Sequence, residues 1–265
     1  MTKTYSSEKR KLEKYHLDLL DSKDIIDNIN IKFKINEKNK NVLSDNADIS
    51  KLYDVLASKE LFSKSLFEKY KDNLKKLIID IDNHLFFPLF IKFENADEFS
   101  TEPIGLEESE SSFVIDFKKY LLDNSYNLSK YDFILLRNID RKGIGFLLEN
   151  NGNYFYPDFI LWVVDNNLKE QKIVFVDPKG LAHLSKENKD KIMIEDYIKV
   201  KEKELKLKDP KYENYNYNFY SRIVTDTKKE DIDKDYWKYT IFKNSLNSPN
   251  NKYLDDFFES INLKI

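Results

Sequence analysis

The chain of 265 residues has no cysteine, which excludes disulfide bonds and thiolate zinc sites. Glycine and proline are rare, at five and six residues, and only four of the 44 basic residues are arginine. No apolar run is long enough to cross a membrane, and no signal peptide is visible. These absences favour a cytoplasmic protein, and the excess of lysine over arginine is typical of an AT-rich, prokaryotic genome.

The charge balance does not indicate a broad basic surface for nucleic acid. Charged residues make up 34% of the chain, yet the net charge is only −3. Any affinity for DNA must therefore come from a local patch or from a partner. The hydrophobic content of 41% and the aromatic content of 14% are too high for a disordered chain.

All five glycines lie between residues 105 and 180. This shift in composition predicts two regions, a mixed but mainly helical one at residues 1–100 and a second domain at residues 101–265. Apolar spacing predicts one or two amphipathic helices over residues 58–81. The apolar run at residues 84–93 predicts a short buried or edge strand.

The most informative stretch is residues 154–180, YFYPDFILWVVDNNLKEQKIVFVDPKG. Two strand-like apolar runs carry acidic residues, Asp158 in the first run and Asp177 at the end of the second. Side chains alternate between the two faces of a strand, so Asp177 and Lys179 are expected to point the same way. Pro178 lies between them, and a proline inside a strand predicts an edge strand or a bulge.

These side chains suit a metal-dependent phosphodiesterase. Two carboxylates that meet across neighbouring strands would repel each other unless a cation lies between them. Mg²⁺, with Mn²⁺ as a substitute, prefers oxygen ligands, which Asp158, Asp177 and the Pro178 carbonyl would supply. Lys179 would stabilise developing negative charge or orient the attacking water. A lone Pro-Asp is usually a turn and a lone DxK a solvated strand end, but the two together favour a nuclease site.

The order of the predicted elements is equally informative. The predicted elements are a helix over residues 107–122, strands over 132–138, 154–164 and 172–177, a long charged helix within 184–208, and a strand over 217–224. This order predicts an α/β fold with a mixed sheet flanked by helices. The second helix would connect two parallel strands as a crossover.

The strings YPDFILW and IVFVDPKG, with LLRN at residues 135–138 and SESSFV at residues 109–114, resemble the PD-(D/E)xK nuclease superfamily. A narrower resemblance, over residues 84–225, is to the C-terminal endonuclease region of type III restriction enzyme Res subunits. The resemblance implies an αβββαβ core and Mg²⁺-dependent cleavage of DNA in antiviral defence. It also implies an acidic residue on the first helix that completes the metal site, and Glu110 matches that position.

The resemblance further implies partners. Res subunits carry an ATPase motor, whereas this chain has neither a GxxxxGK phosphate loop nor a DPPY-type methyltransferase motif. A helicase or ATPase region or subunit, a modification subunit, and a homodimer for double-strand cleavage are therefore expected; the chain itself is either a fragment or a small subunit. The helix after Lys179 lacks the QxxxY motif of exonuclease-like relatives, which favours an endonuclease.

Three side chains near the motifs are candidate DNA contacts, namely Arg137, Arg141 and His183. Arginine suits bidentate contacts with phosphate, and an ordinary loop histidine is the alternative for His183. The predicted function is a Mg²⁺-dependent DNA endonuclease coupled to a helicase. Two alternatives stay open: a non-catalytic DNA-binding or assembly module that keeps the nuclease fold, and a nuclease that acts on RNA or single strands.

Overall fold

The chain divides into two compact units, Met1–Ser111 and Ser112–Ile265. The predicted domain boundary at residue 100 stays a prediction. No helix in the described parts of the chain is long and apolar enough to cross a membrane. The structure, a computed structural model, describes residues 32–35, 78–79, 81, 89–92, 99–102, 105–141, 143–148, 152, 154–165, 167, 170–181, 186–208, 216–243 and 252–263.

The described part of the first unit contains two antiparallel strand pairs. Strand β1 (Lys32–Ile35) pairs with β4 (Phe99–Glu102), and β2 (Ile78–Ile79) pairs with β3 (Leu89–Phe90). Because β2 is a strand, the predicted helix does not extend through it. Residues 58–77, where the rest of that helix is predicted, lie outside the described residues.

The second unit is built around one mixed sheet of five strands. The elements are α1 (Glu108–Asp123), β5 (Tyr131–Arg137), β6 (Phe146–Leu147), β7 (Tyr154–Phe155), β8 (Phe159–Asp165), β9 (Glu170–Pro178), α2 (Lys186–Ile192), α3 (Ile194–Lys208), β10 (Asn216–Thr225), β11 (Thr240–Phe242) and α4 (Tyr253–Ser260). Helix α1 begins in the first unit and continues into the second. The strand order in the five-stranded sheet is β11-β10-β9-β8-β5, and β6 pairs with β7 separately.

Strands β8, β9 and β10 lie between the two edge strands of this sheet. Strand β8 runs antiparallel to both β5 and β9, whereas β10 runs parallel to β9 and β11 runs parallel to β10. Every residue of β8 is buried, and so is every residue of β9 after Glu170, which suits strands that are covered on both faces. Helices α2 and α3 connect β9 to β10. The predicted α/β class with a mixed sheet and helices is confirmed.

Aromatic rings of α1 and α4 pack against β5 and β8. Phe113 of α1 lies 5.7 Å from Phe159 of β8, measured between ring centroids. Phe133 of β5 lies 6.3 Å from Phe117 of α1 and 5.6 Å from Phe258 of α4. All five rings are buried, and each contributes roughly 1.5–3 kcal/mol to the stability of the fold.

Two tyrosine–aspartate hydrogen bonds join the same two helices. The Tyr253 hydroxyl of α4 donates to Asp116 of α1 at 2.9 Å, and the Tyr120 hydroxyl of α1 donates to Asp255 of α4 at 2.5 Å. Burial raises the pKa of both tyrosines, and the neighbouring carboxylates raise it further. Both hydroxyls are therefore held in their protonated, hydrogen-bond-donating form.

Helix α3 covers the edge of β10 that β11 leaves open. Strand β11 pairs only with residues 223–225 of β10. Ahead of that point, the Ser221 N–H donates to Glu195 of α3 at 2.7 Å, and the Phe219 N–H donates to Glu202 of α3 at 3.2 Å. Two carboxylates seven residues apart on one helix thus satisfy backbone donors that would otherwise lack a strand partner.

The prediction of an edge strand or a bulge at Pro178 is wrong. Strand β9 lies between β8 and β10, and Pro178 is its last residue. On the β8 side the strand pairing starts at Phe159, opposite Val176, so the missing N–H of Pro178 breaks no bond of that ladder. On the β10 side the Lys179 N–H donates to the Val224 carbonyl at 2.8 Å and continues the parallel pairing.

Other boundaries also differ from the predicted ones. The strand predicted over residues 154–164 is interrupted between β7 and β8, where Pro157 has no N–H for a ladder. The helix predicted within residues 184–208 is two helices, which meet at Met193. Neither the short strand β11 nor helix α4 was expected from the sequence.

Candidate functional site

Two aspartates meet at one end of the sheet. Phe159 pairs with Val176 in the antiparallel register, so Asp158 and Asp177 occupy the next opposing positions. Residues directly opposed in such a ladder have Cβ atoms roughly 4.5–5.5 Å apart. The Asn138 N–H donates to the Asp158 carbonyl at 2.8 Å, which ties the same end to β5. The structure therefore brings together the two carboxylates that the sequence analysis singled out.

Each of these two carboxylates forms an ion pair with a basic side chain. Lys179 Nζ forms an ion pair with Asp177, and Arg137 Nη1 lies 3.1 Å from Asp158 Oδ1. Arg137 also donates to the Asp158 backbone carbonyl at 3.3 Å. Charge at this end is thus balanced by protein groups, which removes the repulsion expected of the two carboxylates alone. Arg137 is engaged with the motif, and its contact with phosphate stays a prediction.

The backbone around Lys179 is fixed on both sides. Its N–H is bonded to Val224, and two residues later the Leu181 N–H donates to Thr227 Oγ1 at 2.8 Å. Leu181 is buried in an apolar cluster together with Ile223 of β10. The sheet and its core therefore fix the backbone of Lys179, to which the side chain is attached.

Asn138 is a positioning residue that the sequence analysis missed. Its buried Nδ2 donates to the Pro157 carbonyl and to the Ile144 carbonyl, both at 2.8 Å, and its Oδ1 accepts from the Ile144 N–H at 3.0 Å. A Cβ atom at Gly143 would come within 2.0 Å of Asn138 Oδ1. Asn138 thus ties the turn before Asp158 to the loop after β5. The only signals in the sequence were its place in LLRN and the nearby glycine.

The remaining candidates lie in different settings. Glu110 belongs to the first unit, is buried, and accepts a hydrogen bond from the Glu107 N–H at 2.9 Å. Arg141 is exposed, has a left-handed backbone with φ of 59°, and lies 3.6 Å from Asp140. His183 lies outside the described residues. The roles of Glu110 in metal binding and of Arg141 and His183 in DNA binding stay predictions.

The donor set at this end of the sheet fits Mg²⁺ in type. Among the described residues, no three His, Cys, Asp or Glu side chains gather as a metal-binding group. Mg²⁺ commonly takes only one or two carboxylates and keeps several waters, so Asp158 and Asp177 are a sufficient pair. The Asp158 side chain is 24% exposed and reaches solvent, whereas that of Asp177 is 9% exposed. A bound cation would compete with Lys179 and Arg137 for these oxygens.

The chain matches no protein-family model, no curated protein and no solved structure. The fold defines an α/β protein with a five-stranded mixed sheet. A function has to be argued from the site residues themselves.

Proposed function

We propose that the chain is a Mg²⁺-dependent DNA endonuclease with a PD-(D/E)xK core, in which Asp158, Asp177 and Lys179 form the active site. One observation carries this proposal: Asp158, directly before β8, and Asp177, near the end of β9, oppose each other at one end of the sheet, with a lysine against Asp177. The narrower proposal is a type III restriction-like defence system in which a helicase or ATPase delivers DNA to this site.

The proposed reaction is hydrolysis of a phosphodiester. The oxygen of water forms a bond to phosphorus, the bond from phosphorus to one sugar oxygen breaks, and that oxygen takes up a proton. Mg²⁺, when bound, polarises a phosphate oxygen and lowers the pKa of a bound water. Asp158 and Asp177 would hold the ion, with the Pro178 carbonyl as a further oxygen donor.

Lys179 and Arg137 have separate roles in this proposal. Lys179 brings a positive charge to the place where negative charge develops on the phosphate, and its anchored backbone keeps that charge in position. Arg137 holds Asp158 through both its carboxylate and its carbonyl, so it orients a ligand rather than the substrate. Glu110 is proposed as a further acidic group of the site, on the resemblance alone.

A second candidate function is a non-catalytic DNA-binding or assembly module. The ion pairs favour it, because Arg137 and Lys179 already neutralise Asp158 and Asp177 without any metal. In that case the two aspartates would be structural groups at a strand end. The two candidates differ in whether a divalent cation binds at Asp177.

Cleavage of supercoiled plasmid DNA, in Mg²⁺ or Mn²⁺ against EDTA, tests the first candidate. Asp177→Asn keeps the shape of the side chain but removes its charge, so we expect it to abolish cleavage. Lys179→Ala should lower kcat by about 10²–10³, the usual cost of removing one charge-stabilising group. Asp256→Asn, an exposed aspartate on α4, is the matched control and should cut like the wild type. Single-stranded DNA and RNA serve as alternative substrates.

Thermal unfolding separates the two candidates. A cation that binds only the folded state raises the melting temperature, so Mg²⁺ or Mn²⁺ should stabilise the wild type and the Lys179→Ala variant but not Asp177→Asn. Cleavage by Asp177→Asn at the wild-type rate would show that the proposed site is wrong. No metal-dependent shift and no cleavage by the wild type would favour the non-catalytic module.

A further inference from the structure

Two lysines from different elements converge on one buried ring beside the aspartate pair. Lys179, after β9, has its Nζ 5.3 Å from the centroid of the Phe155 ring. Lys191, in the last turn of α2, has its Nζ 5.8 Å from the same centroid. Phe155 is only 4% exposed. The ammonium groups of Lys179 and Lys191 therefore face an apolar ring on one side, where water would otherwise lie.

The fold places Lys191 at this ring. The next residue, Ile192, is fully buried in the apolar cluster that also contains Leu181 and Ile223. This contact fixes the end of α2 against β10, through Ile223, and against the segment that follows Lys179, through Leu181. Lys191 itself is half-buried, so part of its side chain reaches solvent while the neighbouring Ile192 fixes its backbone.

Lys191 adds a positive charge to a group of side chains whose other charges are paired. Asp158 is paired with Arg137, and Asp177 is paired with Lys179. Within the described parts of the chain, Lys191 forms no ion pair with a carboxylate. These five groups together carry one positive charge in excess, and a divalent cation at the aspartates would increase that excess. As a set, these five groups are therefore cationic on a chain whose net charge is −3.

We propose that Lys191 is a phosphate-binding residue of this site, which together with Lys179 takes the phosphodiester backbone of a nucleic acid strand. The inference rests on the proposed function and names a substrate contact that the sequence motifs do not contain. An ammonium group binds phosphate as a point charge, and the Nζ atoms of both lysines lie near the Phe155 ring. Lys191 would contact the strand next to the scissile phosphate and would take no part in bond breaking.

The test measures binding separately from cleavage. Fluorescence anisotropy of a labelled duplex oligonucleotide and of its single strand is recorded in Ca²⁺, a hard cation that takes the same oxygen ligands, over a series of KCl concentrations. The variants are Lys191→Ala, Lys191→Arg and Lys189→Ala. Lys189 is the matched control, because it lies on the same helix but 4.0 Å from Asp233 and 5.6 Å from the Tyr236 ring.

Removal of one phosphate contact reduces the slope of log K against log salt by about 0.9 for duplex and about 0.7 for a single strand. We expect Lys191→Ala to show this change and to bind roughly 3- to 10-fold more weakly at low salt. Lys191→Arg should retain the slope, and Lys189→Ala should match the wild type.

Three other results of the binding measurements would contradict the inference. Equal losses in Lys191→Ala and Lys189→Ala would overturn the inference, since only the overall charge of α2 would matter. Wild-type binding by Lys191→Ala, in a protein that cleaves DNA, would overturn the inference and leave the proposed function standing. Absence of any nucleic-acid binding by the wild type would overturn the inference, and the plasmid cleavage assay would then decide the proposed function on its own.

Discussion

Asp177 has two partners of positive charge in the proposed function. Lys179 holds it in the structure, and a divalent cation would take its place during catalysis. The ion pair holds the carboxylate in place on an interior strand, where it would be available to a metal ion. If a metal ion were bound by Asp177, Lys179 would lose this ion pair, and its charge would then be available to the proposed substrate.

Gly143 controls the position of Asp158 through Asn138. A Cβ atom at residue 143 would overlap the Asn138 side chain, which would have to move away from its bond to the Pro157 carbonyl. We expect Gly143→Ala to lower the free energy of unfolding by about 1–3 kcal/mol, because buried hydrogen bonds are lost. Urea unfolding measures this change, and the metal-dependent rise in melting temperature should shrink with it.

Gly180→Ala is the control for that prediction. Gly180 directly follows Lys179, yet a Cβ atom there would meet nothing within 4 Å. We expect stability and metal response close to those of the wild type. If Gly143→Ala were as stable as Gly180→Ala, with an unchanged metal response, Asn138 would not be positioning the aspartate.

At the scale of elements, the sequence predicted the parts with strong periodicity. The apolar spacing of Phe113 and Phe117 predicted α1 to within one residue at each end, and the continuous apolar runs predicted β8 and β9. Strand β11 has only three residues, which is too short for a period to show. Asn138 could not be found, because its partners are chosen by the folded chain at separations of 6 and 19 residues.

The packing of α1 against α4 predicts sensitivity to alkali. The raised pKa of Tyr253 means that the unfolded chain loses this proton first, near the ordinary pKa of about 10. The stabilisation is therefore complete below pH 10 and is lost as the pH rises above it. Tyr253 alone should contribute a fall of about 1.4 kcal/mol per pH unit in the free energy of unfolding.

Denaturant unfolding between pH 9 and pH 11 measures that fall. In Tyr253→Phe the hydroxyl is absent, so stability should decline less steeply over the alkaline part of this range, whatever its value at neutral pH. Parallel declines in the variant and the wild type would show that Tyr253 does not titrate differently in the folded and unfolded chains.

At the scale of the whole molecule, the cationic groups at the site are local. A net charge of −3 gives little long-range attraction to a duplex, and non-specific affinity depends on the number of phosphates that are neutralised. A nuclease site of the proposed kind would hydrolyse one strand at a time. If the proposed function is right, we expect the isolated chain to nick supercoiled DNA weakly, best in Mn²⁺ and at low salt, and to cut much faster with the helicase that we propose as its partner.

Agarose gels of supercoiled plasmid, with and without ATP and the helicase portion, measure this difference. Nicked circles should accumulate before linear DNA when the chain acts alone. Rapid linearisation by the isolated chain without ATP would contradict the coupled-motor proposal. It would indicate an autonomous nuclease that works as a dimer.

The carboxylates of Glu195 and Glu202 have a consequence for self-association. They occupy the backbone donors of β10 at Ser221 and Phe219, which are the groups that an incoming strand would need for β-augmentation. A second copy of the chain therefore cannot extend the sheet along this stretch without displacing α3. A homodimer that cuts both strands of a duplex would have to join through other surfaces, and the covered edge protects the protein against open-ended polymerisation through this stretch of β10.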